Sequence, residues 1–427
     1  MKRIQLGDGI FLNVIPSDKF KTEYFDINFV IPLRENTASY AALLPMVLKR
    51  GCEKYPTMAS LTKKLDFLYS TGFSSHVSKR GEQHIIGFTA DFLRDSFVSD
   101  GENLGQQVFE LLREILFCPL VSDGAFKSEY VENEKKNLID SIKSLINNKN
   151  AYAMKKCQDA MCEGENFAVN ANGKIEIVEK IDGKALFEFY QNFIKSAYVE
   201  MFYVGAASSD VVETLAKGLF SGISRTKVVR EKTVIFSRKR DAVLDLCEKM
   251  EVAQGKLCMG FCADNTFSSE NSTAYTVFNE LYGGSPTSKL FENVREKLSL
   301  CYYCRSISDA HKGILTVASG IEVENKQKAY DEILNQLELA KNGVISETEI
   351  ECAKKSLINA YKELCDDASS LSSWYLSRIL GGDTRTLDGV ISEIPAVTKE
   401  QIVECAKSTR LDTVFFLEGT LKGGEEE

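Results

Sequence analysis

The chain has 427 residues, 44% of them hydrophobic, and carries a formal net charge of -9 with a pI near 5.3. That length fills the cores of two or three ordinary domains, and the acidic balance opposes nucleic-acid binding and attachment to an anionic membrane. The longest basic run, Arg238-Lys239-Arg240, reads as a solvated loop, and no apolar stretch is long enough to span a bilayer.

The opening residues, Met1 to Gly9, turn polar before the apolar core of a signal peptide develops, so the expected compartment is the cytoplasm. Hydrophobic alternation then predicts strands over Ile10 to Pro16 and Tyr24 to Pro32, with helical periodicity over Ser39 to Arg50 and Met58 to Tyr69. A strand pair follows at Phe73 to Lys79 and His84 to Asp91, turning at Gly81. Helices are expected near Leu104 to Leu116 and Asp123 to Ile146, and an apolar strand over Glu200 to Gly205.

The same order returns in the second half. Strand Lys256 to Ala263 leads to helices Asn271 to Leu281 and Thr287 to Leu298, then to strands Cys301 to Ser308 and Ile314 to Val323 around Gly313. Helices Lys326 to Lys341 and Ser346 to Leu364 precede a last strand, Thr413 to Gly419. The repeated order implies an internal duplication and an α+β fold of two related domains, each with a mostly antiparallel sheet flanked by helices. Their expected limits are 1–220 and 246–422. The stretch 221–245, rich in Lys, Arg, Ser and Thr, reads as a linker, and 423–427 as a disordered tail.

Twelve cysteines in a chain of this size do not make a disulfide scaffold, and in a reducing compartment they serve mostly as small buried hydrophobes. Two spacings leave room for thiol redox or a structural metal: Cys301-Tyr302-Tyr303-Cys304, and Cys258 with Cys262, which share a face of their strand. The three histidines, His76, His84 and His311, fall on hairpins as turn or sheet-face residues.

Two stretches carry more information. Leu44-Pro45-Met46-Val47-Leu48-Lys49-Arg50-Gly51 by itself is an ordinary amphipathic helix end, and Val294-Arg295-Glu296-Lys297-Leu298-Ser299-Leu300-Cys301-Tyr302 an ordinary helix-to-strand passage. With the duplicated plan, they resemble the insulinase/pitrilysin (inverzincin) peptidases in their half-length bacterial branch. The second stretch matches that family's V-R-E-K-x-G-L-x-Y, with Ser299 in place of Gly. Glu251 to Phe261 is similar to the strand opening the family's second domain. Tyr282 to Phe291 is similar to its G-G-x-x-x-S-x-L-F element, where Gly283 or Gly284 is expected at positive φ and Ser285 as the next cap.

The resemblance implies half of a clamshell, in which one chain presents zinc and the partner's second domain supplies Arg and Tyr to the substrate and the transition state. Those roles would fall on Arg295 and Tyr302. The zinc helix of the family reads His-x-x-Glu-His, and Met46, Lys49 and Arg50 stand at its three functional positions. A thioether, an ammonium and a guanidinium do not replace two imidazoles and a carboxylate. The third ligand, a downstream Glu, falls on Ser141, with Glu134 at an upstream family Glu. The implied protein is a pseudoprotease that holds no cofactor and pairs with a zinc-bearing homologue to hydrolyse peptides. The alternatives are a homodimer that captures peptides or acts as a scaffold, and a thiol enzyme using Cys301 and Cys304.

Overall fold

A computed structural model of the protein describes residues 1–98, 101–226, 228, 230–238 and 240–420. The chain folds as two compact units: one holds Met1–Lys143, Val169–Lys232 and Ala368–Leu376, the other Ser144–Ala168, Thr233–Asp367 and the chain from Ser377 onward. The expected domains 1–220 and 246–422 are continuous, whereas these units exchange two short stretches. Leu244 and Asp245, expected in the linker, pair as strand residues with Thr413 and Val414. The expected tail 423–427 lies outside the described residues.

The first unit is built on strands β1 (Lys2–Gly7), β2 (Ile10–Pro16), β3 (Thr22–Pro32), β4 (Gly72–Arg80), β5 (Gln83–Leu93) and β8 (Tyr198–Gly205), with a small hairpin β6 (Val121–Ser122) and β7 (Ala125–Phe126). Its sheet has the order β1-β2-β8-β3-β5-β4. Along β3, Phe25, Ile27 and Phe29 alternate with Asp26 and Asn28, so one face is apolar and takes the helices. Phe25 packs with its ring tilted against Phe109 of helix Leu104–Phe117 at 4.4 Å, and Phe29 against Phe193 of helix Gly183–Ser196 at 5.0 Å.

The second unit holds β9 (Leu244–Met250), β10 (Gly255–Cys262), β11 (Cys301–Asp309), β12 (Ile314–Ile321) and β13 (Arg410–Gly419), in the order β11-β12-β10-β13-β9. Read from its other edge, this order matches β2-β8-β3-β5-β4 strand for strand, and in both sheets the pair at that edge is the parallel one. Leu257, Met259 and Phe261 of β10 enter the main core with Phe278 and Tyr282. The opposite face carries Cys258 and Cys262 and lies under helix Lys149–Met161, where a Cβ on Gly260 would come within 2.9 Å of Met161 Sδ. Covering both faces explains why β10 reads as a continuous apolar run.

Several elements depart from the sequence expectation. The helix expected over Asp123 to Ile146 begins only at Ser128, because Asp123 (φ 52°) and Gly124 (φ 73°) form the two-residue turn of the β6/β7 hairpin. Helix Ser39 to Arg50 lies instead at Glu35–Leu48. Helix Asn271 to Leu281 is α-helical only over Ser272–Asn279 and winds on as a π-turn through Gly284, and Phe291–Lys297 is likewise π-wound. Helices Lys149–Met161, Gly183–Ser196, Ser209–Leu219, Ala368–Leu380, Leu387–Glu393 and Lys399–Ser408 were not anticipated. Among the described residues, no helix is long and apolar enough to cross a membrane.

Candidate functional site

In the first unit, the helix Glu35–Leu48 stops short of the last two positions of the frame that begins at Met46. Lys49 caps it with helical backbone, and Gly51 turns the chain at φ +154°, where a Cβ would meet the Tyr55 carbonyl oxygen at 2.6 Å. Met46 is half-buried against the core and Lys49 half-buried at the cap. Arg50 turns to helix Ser128–Ser144, where its Nε donates to Glu134 Oε1. Asn137 Nδ2 donates to the other Glu134 oxygen at 2.9 Å, and Arg50 Nη1 lies 3.2 Å from Met58 Sδ. The Glu134 side chain is only 8% exposed, so the guanidinium is the charge that lets a carboxylate lie there.

Ser141 does not join this pair. It is exposed, seven residues further along the same helix, about 10 Å of axial rise. Among the described residues, no three His, Cys, Asp or Glu side chains cluster as metal ligands. Zinc takes imidazole, thiolate or carboxylate in tetrahedral sets, and Met46, Lys49, Arg50 and Ser141 do not fit it. The histidines are elsewhere. His84 is fully buried on the core side of β5, where desolvation pushes its pKa down to about 4 against an opposing backbone contact with Ala171. His76 lies over Gly87 in the neighbouring strand, and His311 Nε2 is 3.0 Å from Ser377 Oγ.

In the second unit, the structure does bring the two other candidates together. Arg295, on the π-turn, is 40% exposed; its guanidinium lies 4.6 Å from the centre of the Phe291 ring and its Nε 3.6 Å from Glu296. Ser299 then reverses the chain at φ 50°, a left-handed conformation that glycine adopts without strain. Strand β11 begins irregularly: Cys301 pairs with Ile321 but Tyr303 with Gly320, leaving Tyr302 as the extra residue of a β-bulge. A bulge aims its residue away from the regular pleat, which accounts for Tyr302 being 59% exposed. Arg295, Ser299, Cys301, Tyr302, Glu322 and Asn325 line one open groove of about 430 Å³.

The Tyr302 hydroxyl donates to Glu322 Oε1 at 2.6 Å, and this bond, with the carboxylate charge, raises the phenol pKa. The phenol therefore stays protonated at neutral pH, with its one O–H given to Glu322. Nothing in the local sequence signals Glu322, the residue after β12, because only the pairing of β11 with β12 brings it within reach of Tyr302. The expected roles of Gly283 and Ser285 are corrected. Neither Gly283 nor Gly284 is among the glycines of positive φ; Gly283 is small because a Cβ would meet the Ser306 nitrogen at 2.7 Å. Ser288, not Ser285, accepts from the Phe291 N–H at the start of the next turn.

Seven of the twelve cysteines are buried. Burial pushes Cys258 and Cys405 up to about 12 and, with Asp264, Cys262 up to about 11. Such thiols are packing groups with little thiolate character.

Comparison with known proteins bears on the family and the fold. Residues 180–357 match the family described as the Peptidase M16 inactive domain. The chain is 33% identical over 412 residues to the "Probable inactive metalloprotease YmfF" of Bacillus subtilis (strain 168), covering 96% of each. It is also 24% identical over 290 residues to the "Uncharacterized zinc protease YmxG" of that strain, 66% of this chain and 69% of the relative. A solved structure, "Crystal structure of a conserved protein from Enterococcus faecalis V583", superposes with a TM-score of 0.89 at 30% identity over 98% of both chains. With a relative of that identity along nearly its full length and a shared two-sheet fold, this chain belongs to the M16 (insulinase/pitrilysin) peptidase family, beside a member named as inactive.

Proposed function

We propose that this protein is the non-catalytic subunit of a peptide-hydrolysing pair, contributing Arg295 and Tyr302 to a zinc site held by a homologous partner. The observation that carries the reading is the contrast between the two units. The frame of the zinc helix has been filled by an internal Arg50–Glu134 ion pair, while Arg295 and Tyr302 share one open groove. A guanidinium offers a planar fork to peptide carbonyls, and a phenol that exchanges Glu322 for the substrate donates to a developing oxyanion. Neither group needs to lie exposed on the same groove if its role is structural. The coexistence of a relative named inactive and one named a zinc protease in a single Bacillus subtilis strain supports a division of labour between two chains.

In this reading, the partner's zinc activates water, and the residues of this chain orient the scissile carbonyl and stabilise the charge it develops. The test is co-expression with the zinc-bearing homologue, confirmation of the complex by size, and comparison of peptide turnover. Arg295→Ala and Tyr302→Phe are expected to depress turnover by about 10²–10³, the loss associated with one oriented oxyanion donor. The rim contact of Arg295 with Glu296 is worth at most about 1 kcal/mol, so its loss could not produce that effect. Unchanged turnover in both variants, with an intact complex, would favour peptide capture or scaffolding by a homodimer.

A further inference from the structure

The bulge that displays Tyr302 has a second effect. On a regular strand, residues three apart point to opposite faces. In β11 the partners of Cys301 and Cys304 are Ile321 and Ser319, two positions apart, so the extra residue brings both sulfurs to one face. We propose that Cys301 and Cys304 form a reversible dithiol–disulfide couple, oxidised by low-molecular-weight disulfides, that controls how the groove presents Arg295 and Tyr302. The regulatory half of this proposal rests on the reading of that groove as the working surface of the subunit.

The two thiols are placed for different steps. Cys301 is partly exposed and lines the groove, whereas Cys304 is buried directly behind it. A hydrogen bond from the Cys304 thiol lowers the Cys301 pKa, with help from Ser319 and the Arg295 charge, and the same pairing raises that of Cys304. A thiol of lowered pKa at the mouth and one of raised pKa behind it suit attack followed by resolution. The Cys301 thiolate attacks one sulfur of RS–SR, forming the Cys301–SR mixed disulfide and releasing RS⁻. Cys304 then gives up its proton and attacks Cys301 Sγ, expelling the second RS⁻. In total, two protein thiols become one disulfide and the small disulfide becomes two thiols. Closing that bond draws the sulfurs together across the bulge and ties Cys301, which lines the groove, to the buried Cys304, so Arg295 and Tyr302 lose their reduced-state positions.

The full chain is equilibrated in mixtures of reduced and oxidised glutathione, quenched with an alkylating agent and mapped by mass spectrometry. The peptide containing Cys301 and Cys304 is expected to lose two hydrogens with a single midpoint. Cys304→Ala and Cys304→Ser should both stop at a glutathione adduct on Cys301, and Cys301→Ala should give neither product. A wild-type chain with both thiols free at every ratio overturns the couple. In the complex with the zinc-bearing homologue, full oxidation is expected to lower turnover at least about tenfold, reversibly with dithiothreitol. Unchanged turnover of the fully oxidised complex overturns the control of the groove. If Arg295→Ala leaves the reduced complex unaffected, the proposed function fails, and the glutathione titration still decides whether the couple exists.

Discussion

Arg50 shows how a single replacement changes the physics of a site. At the position that the family resemblance gives to a metal-binding imidazole, this chain has a guanidinium, which neutralises Glu134 from within the protein. Arg50→Ala leaves that buried carboxylate without its cation, and we expect a loss of about 2 kcal/mol, below the cost for a fully dry pair because Arg50 is itself partly solvated. The double variant Arg50→Ala with Glu134→Gln should recover most of it. Urea unfolding measures both, and equal losses in the two variants would mean that the pair contributes nothing beyond packing. Ser299 makes the converse point, since it holds a left-handed backbone with an exposed side chain. Ser299→Gly removes that strain while loosening the unfolded chain, for a net gain of up to about 1 kcal/mol. A thermal midpoint that falls on substitution would show that the hydroxyl holds the turn.

At the scale of elements, the strands that alternate cleanly were legible and the irregular joints were not. β3 follows from apolar alternation, because one buried face imposes it, and β10 from a continuous apolar run, because both its faces are covered. The bulge at Tyr302, the π-turn under Arg295 and the burial of Gly283 against Ser306 arise from pairing with segments distant in sequence, so local pattern carries no trace of them. The Asp123-Gly124 hairpin is different, since its turn chemistry is local and ends the helical pattern before Ser128. His84 shows a further consequence of element packing. In the unfolded chain a histidine titrates near 6.5, but on the core face of β5 it does so at about 4. Between those values the unfolded state binds more protons, so stability is full above the upper value and declines as pH falls towards the lower one. The loss attributable to His84 between about pH 7 and pH 5 should be on the order of 2 kcal/mol. Unfolding free energies of wild type and His84→Leu across that range give the measurement, and a difference that does not vary with pH would contradict the burial account.

For the whole molecule, the chemistry of the vacated frame leads to an elemental test. Protein purified without a metal-affinity tag should retain no stoichiometric zinc after dialysis, since none of Met46, Lys49, Arg50 and Ser141 is a ligand of the kind zinc selects. About one zinc per chain would redirect attention to the cysteines, where thiolate ligands would have to form on folding. The sequence by itself determined the duplicated α+β plan and the family, because hydrophobic period and residue chemistry are local properties. The tertiary structure decided that Arg50 is held by Glu134 and not by Ser141's turn of the helix, that Glu322 holds the Tyr302 hydroxyl, and that Cys301 and Cys304 share a face. Each of these depends on strand register or on the packing of one helix against another, which join residues tens of positions apart or shift the pleat by one, and no local sequence pattern encodes such a shift.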